Sequence, residues 1–330
     1  MVAQSSGLQM RNVSVRYGDL LAVDDITMTV EPGAILALLG PSGSGKSSLL
    51  RAIAGLEPLA TGEVLWDGVD LSRTKVHQRN FGFVFQNAQL FNTMDVGHNI
   101  AYGLTKVPRG QRQERVREML HLVGLDGYEN RKVTELSGGQ AQRVALARSL
   151  APSPRALLLD EPLSALDRSL REHLADELAS ILRQVGTTAI HVTHDQDEAS
   201  TVADTVAVMD HGRLLQRATP DVLWHNPASK EVARFLGFTA FMTAEEAREL
   251  GWPGQLPEGT VLGIGRRSLE LADDGIAVPV TSQGFALGEV EVGVRLPGGQ
   301  LSTVTTPQRV DAPEVRVRLT GGAVTPLTSP

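Results

Sequence analysis

Residues 40–47 constrain the fold of this chain more than any other stretch of the sequence. They read G-x-x-x-x-G-K-S and follow an apolar run at residues 34–39, which is typical of a buried parallel strand. The glycines let successive backbone N–H groups face one centre, and a helix starting near Lys46 adds the positive end of its dipole. The sequence therefore predicts a strand, a phosphate-binding loop and a helix, as in α/β nucleotide-binding folds.

Two side chains in this loop carry chemistry. Lys46 is expected to reach the β- and γ-phosphates of a nucleotide, and the Ser47 hydroxyl is expected to ligate Mg²⁺. The predicted phosphate-binding residues are Gly40, Pro41, Ser42, Gly43, Ser44, Gly45, Lys46, Ser47 and Ser48. The alternative is a glycine-rich turn that binds nothing, and the Lys-Ser pair at the required position argues against it. Since proteins with such loops do many jobs, the motif does not name the function.

Composition narrows the class of protein. A length of 330 residues, with 42% hydrophobic and 21% charged residues, is expected for a globular chain of two domains. The net charge of −7 argues against a broad nucleic-acid-binding surface, so no nucleic-acid partner is predicted. Because the sequence contains no cysteine, disulfide bonds and metal sites with thiolate ligands are excluded. With no signal-peptide pattern and no apolar run near the roughly 18 residues that span a bilayer, a cytoplasmic location is expected.

A second apolar run, at residues 156–159, ends in Asp160 and Glu161. The carboxyl ends of strands are where α/β sheets place their ligands. Because side chains alternate along a strand, these two acids point in different directions and can have separate roles. Asp160 suits Mg²⁺ and Glu161 suits the attacking water. The alternative is a pair of solvated acids that end a strand.

Two single residues also follow predicted strands. Gln86 comes directly after the run 81–85, and its amide is able to orient a water or a metal ligand. His194 follows the β-branched run 187–192, which is expected beside the strand of Asp160. Each also has a plain interpretation, as a solvent-exposed glutamine and a polar strand-end histidine.

A second helix N-terminus prepared for an anion is predicted at Ser137. Ser137 is a suitable N-cap, Gly138 and Gly139 free the backbone, and a helix is expected over residues 141–150. An N-capped loop without a ligand is the alternative. Tyr17 precedes a predicted turn, where an exposed ring is able to stack on a nucleotide base. The alternative is an aromatic residue that only ends a strand.

The remaining pattern divides the chain. Residues 87–133 are mostly helical and predict an inserted lobe, to which the helix at 137–150 adds. Residues 1–236 hold every motif, whereas 237–330 are rich in Gly, Pro and Val and predict a small all-β domain. The tail at 321–330 is expected to be disordered.

Taken in this order, residues 8–236 resemble the ATP-binding subunits of ABC transporters. Residues 40–47 are similar to the Walker A loop, Gln86 to the Q-loop, residues 136–140 to the signature, residues 156–161 to the Walker B strand, residues 164–167 to the D-loop and His194 to the switch histidine. Tyr17 stands at the adenine-stacking position. The resemblance implies a P-loop NTPase with a parallel core sheet, an antiparallel β subdomain and a helical lobe, which binds ATP and Mg²⁺ and hydrolyses ATP.

The resemblance also implies assembly. Such subunits form head-to-tail homodimers in which the cradle of one faces the signature of the other. The residues that complete the second side of the site are then Ser137, Gly138, Gly139, Gln140 and Asp167. Glu161, His194, Gln86 and Lys46 are the expected catalytic residues, and Ser47, Gln86 and Asp160 the expected Mg²⁺ ligands.

The predicted C-terminal β domain resembles the small TOBE- or OB-like barrel of importer ATPases. That likeness implies regulation or bracing of the dimer, an integral-membrane permease, an extracytoplasmic substrate-binding protein and a peripheral place on the cytoplasmic face of the cell membrane. Among the cargoes of such importers, which include polyamines, sulfate and sugars, ferric iron or thiamine is the expected one.

Other nucleotide-binding classes fit less well. A GTPase should carry Asn-Lys-x-Asp, which this sequence lacks. DNA-repair relatives insert a long heptad segment, translation relatives repeat the cassette, and many exporters fuse membrane helices to it. A non-transport ABC-type ATPase, related to nucleic acid or translation, remains the alternative.

Overall fold

The computed structural model describes residues 7–105, 107–164, 166–252, 255, 259–265, 268–286, 288–320 and 324–328. The chain forms two compact units, divided between Pro220 and Asp221. Among the described residues, no helix combines the length and apolar character needed to cross a membrane.

The first unit alternates strands and helices. In chain order it contains β1 (Leu8–Tyr17), β2 (Leu20–Val30), β3 (Ile35–Leu39), α1 (Lys46–Ala54), β4 (Thr61–Trp66), β5 (Val69–Asp70), β6 (Phe81–Val84), α2 (Val96–Ala101), α3 (Arg109–Leu122), α4 (Gly138–Leu150), β7 (Ala156–Asp160), α5 (Arg168–Val185), β8 (Thr188–Thr193), α6 (Gln196–Val202), β9 (Thr205–Asp210) and β10 (Arg213–Ala218). Single 3-10 turns lie at Val76–Gln78 and Val133–Glu135.

A six-stranded sheet forms the centre of this unit, in the order β10-β9-β3-β8-β7-β6. All neighbours pair in parallel except β9 and β10. Strands β3, β7 and β8 are buried at every position, which is why their sequences read as continuous apolar or β-branched runs. Because β8 lies between β3 and β7, the loops that follow these three strands open at one edge of the sheet.

An antiparallel sheet of order β2-β1-β4-β5 packs its apolar face on α1. Leu8, Met10 and Val13 of β1 and Leu49 and Ile53 of α1 lie in one fully buried cluster. The antiparallel β subdomain that the resemblance implies is therefore confirmed. Their packing fixes the position of α1, and with it the loop at its N-terminus.

The helical lobe consists of α2, α3 and α4. Its first helix, α2, is short and ends at Ala101. Helix α4 begins at Gly138, three residues before residue 141, and Ser137 is its N-cap as predicted. Ser137 and Gln140 form a capping box there, which agrees with the helix predicted at 137–150. Val144, Ala147 and Leu150 of α4 are buried, as their spacing predicts.

The second unit is mainly β structure with three short helices. It contains α7 (Pro220–His225), α8 (Lys230–Phe235), β11 (Ala240–Met242), α9 (Ala244–Glu249), β12 (Thr260–Ile264), β13 (Leu269–Ala286), β14 (Glu289–Arg295), β15 (Leu301–Thr306), β16 (Glu314–Leu319) and β17 (Val324–Thr328), with a 3-10 turn at Pro297–Gly299. Its described strands form two sheets, of orders β11-β12-β17 and β15-β14-β13-β16.

The predicted disorder of the tail is wrong for Val324–Thr328. This segment pairs along its whole length with β12, and Leu327 packs in a buried cluster with Val261 and Ala233. Residues 321–323 and 329–330 of that tail lie outside the described residues. Because Ala233 of α8 belongs to the same cluster, α8 belongs to the second compact unit.

Candidate nucleotide site

The loop between β3 and α1 curls tightly because its backbone runs against neighbouring chain segments. Gly45, just before α1, has a φ of 96°. A Cβ atom there would collide with the carbonyl of Ala22, and one at Gly40 would collide with the carbonyl of Met209. Glycine is required at both positions, so the motif spacing reflects close backbone contacts as well as backbone conformation.

Lys46 begins α1 and turns its side chain back into the loop. Its Nζ donates to the carbonyl oxygens of Gly40 and Pro41, each at 2.8 Å, and lies 3.4 Å from Ser44 Oγ. Burial lowers the pKa of Lys46, although nearby carboxylates, Glu161 first among them, raise it in part. A cation held by loop carbonyls at a helix N-terminus is placed to bind phosphate oxygens.

Ser47 and Asp160 meet where α1 and β7 adjoin. Ser47 Oγ donates to Asp160 Oδ1 at 2.6 Å, and Arg51 Nη2 lies 3.5 Å from Asp160 Oδ2. Asp160 is buried, with a partner at each oxygen. Hydroxyl and carboxylate oxygens are ligands that Mg²⁺ prefers, and this ion takes few protein ligands when it is also bound by phosphates. The residues present therefore fit Mg²⁺.

Glu161 lies beside His194, as the strand order requires. Glu161 has a φ of 47°, a conformation that is uncommon for glutamate, and its N–H donates to the carbonyl of Val192 at 3.1 Å. Its Oε2 lies 3.4 Å from His194 Nδ1. Both side chains are partly exposed, so a bound molecule can reach them. The structure thus brings two predicted catalytic residues together.

Gln86 is connected to Glu161 through Ser164. Gln86 Nε2 donates to Ser164 Oγ at 3.1 Å, and Ser164 Oγ donates to the carbonyl oxygen of Glu161 at 3.0 Å. The amide nitrogen of Gln86 is engaged in this link, and its oxygen is the atom that suits a metal ion or a water. Two hydrogen bonds therefore connect the Gln86 side chain to the backbone of Glu161.

A cavity of about 440 Å³ lies over the loop. It is lined by Tyr17, Leu20, Leu21, Ala22, Ser42, Gly43, Ser44, Gly45, Lys46, Ser47, Ser48, Glu161, His211 and Gly212. Its volume is within the usual range for ligand cavities. Tyr17, 41% exposed, is placed to stack on a base bound there.

The predicted signature residues lie apart from this cavity within one chain. Ser137 Oγ accepts from the N–H of Gln140, and Gln140 Oε1 accepts from the N–H of Ser137. Asp167 caps α5 by accepting from the N–H of Leu170 at 3.0 Å. The residues that line the cavity do not include Ser137, Gly138, Gly139, Gln140 or Asp167. A second molecule has to supply them if they bind the same nucleotide.

Sequence reasoning missed Arg51, Ser164 and His211. Arg51 had a detectable signal, because it follows Ser47 by four residues and so shares a helix face with it. Ser164 lies in the recognised D-loop segment, but its bridging role depends on where Gln86 lies. His211 had no local signal, since the β9–β10 turn reaches the cavity only by sheet pairing.

Comparison with known proteins identifies the family of the chain. Residues 23–164 match the family described as ABC transporter. The chain is 45% identical over 322 residues to the Fe(3+) ions import ATP-binding protein of Streptomyces coelicolor, which covers 93% of this chain and 92% of the relative. The chain belongs to the ABC transporter family.

Other matches agree with this membership. The sulfate/thiosulfate import ATP-binding protein of Bradyrhizobium diazoefficiens is 45% identical over 276 residues, covering 82% of this chain and 77% of the relative. A dimeric ATP-binding cassette solved in a post-hydrolysis state with ADP and Pi is 29% identical, with a TM-score of 0.58, and the match covers 64% of this chain and 98% of that one.

Membership confirms several predictions. The chain is an ATP-binding subunit of the ABC importer type, with the P-loop fold, and as a member of this family it is an ATP hydrolase. Proteins of this family bind ATP, form dimers and work with membrane permeases. The non-transport alternative is therefore not supported.

Proposed function

We propose that this chain is the ATPase subunit of an iron(III) importer. The observation that carries the proposal is the 45% identity to an Fe(3+) import ATP-binding protein over 93% of this chain, which extends through the second compact unit. The sulfate relative matches a shorter share of the chain at equal identity. Iron(III) is therefore favoured over sulfate, and thiamine, the other expected cargo, has no comparable support.

The site geometry supports specific roles for its residues. Lys46 and the loop N–H groups bind the phosphates, and Tyr17 stacks on the base. Glu161 accepts a proton from the attacking water, and His194 beside it contacts the γ-phosphate. Gln86 follows the state of the γ-phosphate through its link to Glu161.

Ser47 and Asp160 would hold Mg²⁺, with the Gln86 amide oxygen as a further ligand. When bound, Mg²⁺ neutralises charge that develops on the phosphate oxygens. ATP turnover should therefore disappear when EDTA removes Mg²⁺ and return when Mg²⁺ is restored.

We infer a head-to-tail homodimer, because Ser137 and its helix N-terminus lie apart from the cavity of their own chain. Two N-termini that face one γ-phosphate from opposite sides stabilise its charge better than one. Mixing a Ser137→Arg chain with a Lys46→Ala chain should form at most one complete composite site per dimer. Each variant alone should form none and should not turn over ATP.

A candidate permease surface lies on the helical lobe. Phe91 and Tyr102 are 37% and 57% exposed, and their ring centroids are 4.5 Å apart. Such an exposed aromatic pair suits a groove for a permease helix, and Met94 lies between them in sequence. This docking would hold the subunit on the cytoplasmic face of the membrane, while an extracytoplasmic binding protein delivers iron(III).

Uptake measurements test the proposed cargo. Cells that lack this chain should lose uptake of radiolabelled iron(III) and retain uptake of radiolabelled sulfate. Wild-type protein should restore iron uptake, and a Glu161→Gln variant expressed at the same level should not. Loss of sulfate uptake with intact iron uptake would refute iron(III) as the cargo.

We also propose that residues 237–330 regulate or brace the dimer. The residues that line the nucleotide cavity fall between Tyr17 and Gly212. This location of the cavity supports a non-catalytic role for residues 237–330.

A further inference from the structure

Arg171, on α5, joins two loops that border the nucleotide site. Its Nη2 donates to the carbonyl oxygen of Leu166 at 3.0 Å, and its Nη1 donates to Asp195 Oδ2 at 3.1 Å. Leu166 lies in the loop between β7 and α5, which we call the β7–α5 loop, and Asp195 directly follows His194 in the β8–α6 loop. One guanidinium group therefore holds both loops.

The β7–α5 loop contacts the site at its other end. Ser164 bridges Gln86 and the carbonyl oxygen of Glu161, and it precedes Leu166 by two residues. Ala165, between them, lies outside the described residues. Leu166 is therefore close enough along the chain for a shift of its carbonyl to affect the hydrogen bonds that Ser164 makes with Gln86 and Glu161.

Asp195 is a strong partner for Arg171 because its carboxylate is held ionised. Burial raises the pKa of Asp195, but hydrogen bonds from the Glu198 N–H and from Arg171 outweigh this and lower the pKa. Asp195 Oδ1 caps α6 by accepting from the N–H groups of Asp197 and Glu198, each at 3.0 Å. Oδ2 is left for Arg171.

Below Asp195, a buried polar cluster fixes the end of β8. Glu198 Oε1 lies 2.6 Å from His191 Nε2, and Glu198 Oε2 accepts from Thr193 Oγ1 at 2.9 Å. Thr193 Oγ1 also accepts from the N–H of Asp195 at 3.0 Å. These hydrogen bonds join the start of the β8–α6 loop to the end of β8 and to α6, so we take this loop as the anchored end of the link.

We propose that Arg171 is a positioning residue for ATP hydrolysis, which sets the position of Glu161 relative to His194 by holding the Leu166 carbonyl and Asp195 together. The inference rests on the roles proposed above for Glu161 and His194. Arg171 is not among the residues that line the nucleotide cavity. Its loss should therefore impair turnover and spare ATP binding.

The planar fork of arginine is central to this role. One guanidinium group donates in two directions at once, and an ammonium group on the shorter lysine chain cannot reproduce that geometry. Arg171 Nε is buried with no hydrogen-bond partner among the described residues, so the two Nη contacts set its orientation. Arg171→Lys should keep the charge near Asp195 and lose the bridge to Leu166.

Steady-state kinetics of the full-length protein tests the proposal with Arg171→Met, Arg171→Lys and Asp195→Asn. Asparagine retains an oxygen to cap α6 but loses the charge that pairs with Arg171. We expect Arg171→Met and Asp195→Asn each to lower kcat about 10-fold or more, with the KM for ATP within about twofold of wild type. The double variant should be no slower than the slower single variant, because both changes break one link. Arg171→Lys should recover part of the kcat.

Arg168→Met is the matched control. Arg168 lies on the same helix, and its ion pair with Glu172 is solvent-exposed, so kcat should stay within about twofold of wild type. Binding of a fluorescent ATP analogue and the melting temperature report whether each variant is folded. If Arg171→Met does not fold, Asp195→Asn and Arg171→Lys decide the question by the same criteria.

Three results would overturn the proposal: a kcat for folded Arg171→Met within about twofold of wild type, single effects that multiply in the double variant, or a large rise in KM with unchanged kcat. The two proposals fail differently. A wild-type chain that does not hydrolyse ATP refutes the proposed function. An active wild type, an inactive Glu161→Gln and an unaffected Arg171→Met refute only the role of Arg171.

Discussion

Removing the Glu198 carboxylate should destabilise the first compact unit by an amount that the structure allows us to estimate. Glu198 accepts hydrogen bonds from His191 and Thr193, and all three residues are at most 5% exposed. Glu198→Ala leaves two buried donors without an acceptor. Each such donor costs about 1–3 kcal/mol, so the free energy of unfolding should fall by about 2–6 kcal/mol.

Glu198→Gln separates the hydrogen bonds from the packing of the side chain. Glutamine keeps one acceptor oxygen and replaces the other by a donor, so one of the two bonds should survive. The expected loss is then about half of that for Glu198→Ala. Glu172→Ala, which removes an exposed acid from α5, should cost less than about 1 kcal/mol.

Urea unfolding followed by circular dichroism measures these changes. Because the chain has two compact units, the transition of the first unit has to be recognised, and it is the one that added ATP moves to higher urea. The estimate would be refuted if Glu198→Ala lowered the free energy of unfolding of the first unit by less than about 1 kcal/mol. If Glu198→Ala and Glu198→Gln lowered the free energy of unfolding equally, the number of acceptor oxygens would not determine the stability lost.

Three further predictions concern ATP and the division of the chain. Burial lowers the pKa of Lys46, and phosphate binds the protonated form of this side chain. ATP affinity should therefore be highest below the lowered pKa and should decline as pH rises through it, before the ordinary pKa of lysine is reached. Fluorescence titrations at several pH values measure this decline, with Lys46→Arg, which stays charged, as the control. Glu161→Gln should bind ATP without turnover and dimerise on its addition, and a monomer by light scattering at saturating ATP would contradict this. A chain that ends at Pro220 should fold and bind ATP, whereas one that ends at Leu236 should also expose the apolar face of α8 and aggregate more readily in light scattering.

The local elements around the site were predictable because they depend on short-range chemistry. The apolar runs of β3 and β7 and the glycines of the loop between β3 and α1 follow directly from sequence periodicity and backbone sterics. The start of α4 was predictable for the same reason, since Ser137 reads as an N-cap in the sequence and forms a capping box with Gln140.

The tail shows where such reasoning fails. Val324–Thr328 contains proline and threonine and has no helical or strong strand pattern, so disorder was the expectation. It becomes a strand because β12, more than fifty residues earlier in the chain, offers a complete set of backbone partners and a buried place for Leu327. Long-range pairing of this kind leaves little trace in local composition.

The sequence by itself determined which groups the site uses: a lysine and a hydroxyl in a glycine loop, two acids after one strand, a glutamine and a histidine after two others. Only the tertiary structure decided which of them meet. Ser47 and Asp160 are 113 residues apart and lie at hydrogen-bond distance, and Glu161 reaches His194 because β8 pairs beside β7. Strand order in a parallel sheet depends on crossover connections and packing across the whole unit, which no local pattern of side chains specifies.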